Sequence, residues 1–102
     1  MDFDVLIIGG GVAGFSCALV IGSGLEKSHA VNKKAGIILH QKSSHLQSAL
    51  LRNVFGIKPG TKGMDVLKDG VTHLSETYPA VELISKEKVK EILEINEGFK
   101  VV

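Results

Sequence analysis

Four apolar residues, Val5, Leu6, Ile7 and Ile8, run directly into three glycines, and a further glycine follows at position 14. A short unbroken apolar run after a single acid, Asp4, suits a strand covered on both faces in a parallel sheet. The glycines end that strand. Gly14, Ala18 and Gly22 then recur at four-residue spacing, which gives a helix from Val12 to about Gly22 one smooth face that can lie close against a neighbouring strand. Gly36, Ile37, Ile38, Leu39 and His40 read as the next strand. Parallel pairing with the first makes the helix a right-handed crossover and completes a βαβ unit.

The connection over 23–35 is polar, with Glu26, Lys27, Lys33 and Lys34, and is expected as a solvated loop at the end of the sheet opposite the glycines. Ser43 or Ser44 is placed to cap one or two helical turns carrying Leu46, Ala49 and Leu50. Residues 53–56 and 58–60 then signal a loop. Met64, Leu67, Val71, Leu74 and Tyr78 follow at alternating spacings of three and four, the mark of an amphipathic helix, and Pro79 stops it. Residues 81–84 read as a third buried strand. Residues 89–95 alternate as a half-exposed strand, and Glu97 with Gly98 turns the chain into a last strand over 99–102. The expected class is α/β: a β-α-β-α-β parallel sheet followed by the start of an antiparallel β-meander.

Composition narrows the function. At 102 residues the chain is at most one domain, and a net charge of +1 is too small for the long-range field that nucleic-acid binding needs. The single cysteine, Cys17, permits no internal disulfide and no Cys-x-x-Cys pair, which matches a reducing cytoplasm, the expected location. It is expected as a buried structural thiol. Val5 to Gly22 carries no charge, yet consecutive glycines and the acids Asp2 and Asp4 argue against a membrane span or a signal peptide. His29, His40, His45 and His73 have no metal-site spacing, so no metal is expected.

Gly9-x-Gly11-x-x-Gly14 therefore stands where a strand ends and a helix begins, the context that gives this motif meaning. The first glycine allows the tight turn, the second lets backbone approach a pyrophosphate, and the third lets helix and strand pack closely. Unpaired amides within the turn of Gly9, Gly10, Gly11, Val12, Ala13 and Gly14, with the positive end of the helix, would bind the anion without a cationic side chain. An acid usually follows the second strand to accept hydrogen bonds from ribose. Here His40, Gln41 and Lys42 take that place, and His40 or Gln41 would offer a neutral contact instead.

Beyond these motifs, nearly the whole chain resembles the flavin domain of thioredoxin-reductase-like FAD-dependent oxidoreductases, in the two-dinucleotide-binding disulfide oxidoreductase superfamily. Residues 4–18 resemble that family's opening strand, turn and helix. Asn53 to Gly56, followed by Gly63 and a helix, resembles its Asn-x-x-Gly loop, and Lys88 with Val89 before a hairpin also fits. The resemblance implies a Rossmann-like FAD/NAD(P)-binding fold in which residues 9–14 hold FAD. It also implies that residues 40–44 pass the adenosine ribose and flavin, that Asn53 and Gly56 lie near the isoalloxazine, and that backbone at Lys88 and Val89 meets the adenine edge.

Three departures qualify that picture. The ribose acid is missing, no second domain for NADPH is present, and no Cys-x-x-Cys is available to reduce a disulfide. The expectation is an FAD-binding domain over 1–102, its N-terminal part, with no catalytic residue of its own and completed by a further chain segment or a second copy. The alternatives are a nicotinamide-binding dehydrogenase segment and a non-catalytic dinucleotide-binding sensor or assembly module.

Overall fold

The structure is a computed structural model, and it describes residues 2–27, 30, 32–39, 48–85 and 87–102. Three parallel strands form its centre: β1 (Val5–Ile8), β2 (Ala35–Leu39) and β5 (Val81–Ser85), in the order β1-β2-β5. Helix α1 (Val12–Leu25) joins the first two, and α2 (Gly63–Thr77) precedes the third. Counting only the parallel strands, the order is 3-2-1, the arrangement of one half of a doubly wound sheet. The fold is Rossmann-like, as the sequence leads one to expect.

Register explains where the core lies. Ile7 pairs with Ile37, and Ile37 with Leu83, so the three side chains stand in one row on one face of the sheet. Against that row pack Phe15 and Ala18 from α1 and Leu67 and Leu74 from α2. Ile37 and Leu74 are fully buried, and each such burial stabilises by roughly 1.5–3 kcal/mol. The spacing of Leu67, Val71 and Leu74 thus does what an amphipathic period should, and α2 ends at Thr77, with Tyr78 as its cap and Pro79 next.

Several boundaries differ from the sequence reading, each for a physical reason. The strand buried on both faces is β2, whereas Val5 and Ile8 of β1 are exposed, because β1 stands at an edge of the sheet. α1 runs on to Leu25: Ser23 and Gly24 are weak helix formers, but Leu25 packs on the core and holds the last turn. The small-residue face of α1 meets two neighbours instead of one strand. At Gly14 a Cβ would meet Gly9 and Ile37, while at Gly22 it would lie 2.7 Å from Cβ and Cγ of Tyr78, beyond the end of α2.

Leu50 belongs to a strand, not to a capped helical turn. β3 (Leu50–Leu51) pairs antiparallel with β4 (Thr61–Lys62), a ladder too short to show any period in the sequence. The expected caps Ser43 and Ser44, and Leu46 with them, lie outside the described residues. Near the end of the chain, β6 (Ile92–Ile95) and β7 (Gly98–Val101) form the expected antiparallel hairpin. Its turn residues are Asn96 and Glu97, and Gly98 already pairs with Ile95. β6 begins three residues later than its alternation suggested, although Lys90 and Glu91 still donate to the Val102 carbonyl. Among the described residues no helix is long and apolar enough to cross a membrane.

Candidate functional site

The glycine turn is built where parallel strands deliver it. Gly9 leaves β1 with φ +117°, a conformation that side chains disfavour, and its N–H donates to the Ile38 carbonyl at 3.0 Å. That bond ties the turn to the carboxyl end of β2. Gly10 lies against the same strand end, where a Cβ would stand 2.7 Å from Cδ2 of Leu39. Gly11 is the N-cap of α1 in extended conformation, without a side-chain capping bond. Gly14 has no room for a side chain, because a Cβ would overlap the Gly9 carbonyl oxygen. Two of the three motif glycines are therefore required by the fold itself.

What this turn can do follows from the helix start. The first described helical bond of α1 is donated by Phe15 N–H to the Gly11 carbonyl at 3.0 Å, so the amides of Val12, Ala13 and Gly14 precede the ladder. The first turn carries no acidic residue, and Val12 and Ala13 are exposed. Free amides and a partial positive charge of roughly half a unit at the helix end are suited to an anion.

The strands that precede the other expected site residues end on the same side of the sheet. Because β1, β2 and β5 are parallel, their carboxyl ends share one edge, with Ile8 beside Ile38 and Leu39 beside Ser85. Asn53 and Gly56 are exposed on the connection that leaves β2 for α2, and Gly56 has φ +83°. The neck of this loop is closed by β3 and β4 and by Gly60 N–H donating to the Leu51 carbonyl at 2.7 Å. Lys88, exposed, and Val89, half-buried, follow β5. No hydrogen bond among the described residues joins residues 53–56 or 88–89 to the glycine turn. His40 and Gln41 lie outside the described residues.

Cys17 is exposed, contrary to the expectation of a buried thiol. It sits on the outer side of α1, where Val12, Ser16 and Val20 are also exposed, because Phe15, Ala18 and Gly22 take the inner face. At the opposite end of the sheet, sequence reasoning missed a clasp. The Asp4 carboxylate accepts from Lys34 N–H at 2.8 Å, Asp4 N–H donates to the Lys34 carbonyl at 2.8 Å, and Lys33 Nζ stands 3.9 Å away. Lys34 also lies over the Phe3 ring, which covers Gly36. An acid just before one apolar run and a lysine pair just before the next was the available signal. These residues border an open hollow of about 510 Å³, far from the glycine turn along β1.

Parallel strands in the order 3-2-1, a glycine turn at the carboxyl end of the first, and an uncapped helix behind it define a Rossmann-like α/β architecture. No family model matches the chain. It is 33% identical over 92 residues to one of the subunits of the anaerobic glycerol-3-phosphate dehydrogenase of Haemophilus influenzae, covering 87% of this chain and 21% of that protein. Among solved structures, an oxidoreductase from Agrobacterium tumefaciens superposes with a TM-score of 0.77 at 24% identity over 100% of this chain and 31% of its own. A protein described as a thioredoxin reductase of Bacillus anthracis gives 0.76 at 22% identity, over 99% and 31%. The chain has the fold of thioredoxin-reductase-like oxidoreductases. It spans about a fifth of the curated relative's length and about a third of the solved structures'.

Proposed function

We propose that this chain is the FAD-binding portion of a flavoprotein oxidoreductase, with residues 9–14 holding the pyrophosphate. The observation that carries the reading is the contact of Gly14 with Gly9, which sets the free amides at the start of α1 over the carboxyl end of β1. In the same reading His40 and Gln41 serve the adenosine ribose, Lys88 and Val89 the adenine edge, and Asn53 and Gly56 the flavin side. The flavin carries the electrons when bound, and the chain's own residues bind it, orient it and supply fixed dipoles. The antiparallel β6–β7 hairpin after the third parallel strand favours this reading over a nicotinamide-binding segment, which would continue with further βα units. The lengths of the relatives support a further segment as partner, and a second copy is the alternative.

The purified chain should take up FAD from a 1:1 mixture and retain flavin absorption through gel filtration. Retention of NADPH with exclusion of FAD would overturn the proposal in favour of the nicotinamide reading. Retention of neither would leave the glycine turn a structural feature only.

A further inference from the structure

The connection from β2 to α2 has a charge distribution to which the flavin reading assigns no role. Between Glu26 and Asp65 the sequence contains no acidic residue but seven Lys or Arg. Three of these cations, Arg52, Lys58 and Lys62, fall in the β3–β4 hairpin, Arg52 and Lys58 in its loop and Lys62 in β4 itself. All three are exposed, and none enters an ion pair among the described residues, whereas Lys33 and Lys34 at the other end of the sheet each face a carboxylate. The nearest acid along the chain is Asp65, exposed in the first turn of α2.

The loop is also a braced one. Thr61 donates to the Lys58 carbonyl through both its N–H, at 3.1 Å, and its hydroxyl, at 2.6 Å, and Ile57 N–H donates to the Val54 carbonyl at 3.1 Å. Lys62 pairs across the ladder with Leu50, and Arg52 directly follows Leu51, the partner of Thr61. Paired strands stand roughly 5 Å apart, which is within the reach of these long side chains. At the tip of the same loop Phe55 is 104% exposed, with Val54 beside it. A wholly exposed phenyl ring in the same hairpin as three cations that have no ion pair among the described residues suits a ligand with one anionic end and one apolar part.

We propose that residues 51–62 bind a phosphate-bearing organic ligand, the cations taking the phosphate and Phe55 its apolar portion. Three cations in one hairpin match a dianion better than a monoanion, and guanidinium in particular donates two parallel N–H bonds to phosphate. Identifying that ligand with the substrate of the flavin rests on the FAD reading. The binding of phosphate does not.

The test titrates the whole chain, monitored by backbone amide NMR shifts at constant ionic strength, with inorganic phosphate, phenyl phosphate, acetate and chloride. The expected result is saturable shifts confined to residues 51–63, with phenyl phosphate tightest and acetate and chloride giving none. The triple variant Arg52→Gln, Lys58→Gln, Lys62→Gln should lose about tenfold or more in affinity. Phe55→Ala should abolish only the preference for the phenyl ester, and circular dichroism checks that both variants are folded. Co-sedimentation with phosphatidylglycerol vesicles separates the sources of the phosphate: binding to these and not to phosphatidylcholine, combined with weak phenyl phosphate binding, assigns a lipid headgroup. Equal shifts with chloride or acetate, or an unaffected triple variant, overturn the site. Displacement of phosphate by FAD would assign the loop to the cofactor and overturn a separate ligand. Failure of FAD to bind while phosphate binds would sink the flavin reading alone.

Discussion

The α-carbon of Gly14 lies against the carbonyl oxygen of Gly9, so closely that a methyl group on Gly14 would overlap that oxygen. The obstacle is backbone, and Gly9 is itself held by its bond to Ile38. Gly14→Ala should therefore destabilise the chain by about 3 kcal/mol or more, since neither side can move aside without breaking the turn. Urea unfolding followed by circular dichroism measures it, and a midpoint equal to that of the parent chain would show that the turn is looser than this contact implies.

Gly11 responds differently. Its φ of −87° and ψ of −169° are open to any residue, so Gly11→Val should unfold at nearly the same urea concentration as the parent. A branched side chain at the second glycine would nevertheless fill the approach to the amides of α1. We expect FAD affinity to fall by about 100-fold or more, the equivalent of losing two hydrogen bonds to a charged group. Unchanged affinity would remove the pyrophosphate from this turn.

Gly22 and Tyr78 are a coupled pair across the two helices. A Cβ on Gly22 would stand 2.7 Å from Cβ of Tyr78, an atom too near the backbone to swing away. Gly22→Ala is expected to cost about 1–3 kcal/mol. In a double-mutant cycle with Tyr78→Ala the two changes should fail to add by about 1 kcal/mol, because the smaller residue removes the overlap. Simple additivity would argue that the helices meet elsewhere.

Cys17 is exposed on the outer face of α1. Its thiol should react stoichiometrically with Ellman's reagent in native buffer, at a rate comparable to a small-molecule thiol. A thiol that reacts only after denaturant is added would place another surface over this face of the helix.

Much of the fold was legible because it rests on local chemistry. Apolar runs, the period of Leu67, Val71 and Leu74, and glycines at fixed spacing each state a preference that tertiary structure had only to accept. The glycine turn at residues 9–14 was legible to the same degree, because its backbone geometry follows from the glycines themselves. It was less so at 53–56 and 88–89, whose expected roles came from resemblance to a family. The two-residue strands β3 and β4 carry no readable period and appear only once the loop between them closes.

The βαβ unit with its glycine turn is written in the local pattern of residues 5–40, an apolar run, glycines at fixed spacing, a small-residue helix face and a second apolar run. Which strand is central was settled by packing alone. Val5 to Ile8 is as apolar as Ala35 to Leu39, yet β1 lies at the sheet edge and β2 between two partners, so burial follows position in the sheet and not composition. For the same reason packing decided that Gly22 faces Tyr78 and that Cys17 faces outward. Those outcomes depend on where α2 lands against α1, and a contact between residues 56 positions apart leaves no trace in the local pattern of either.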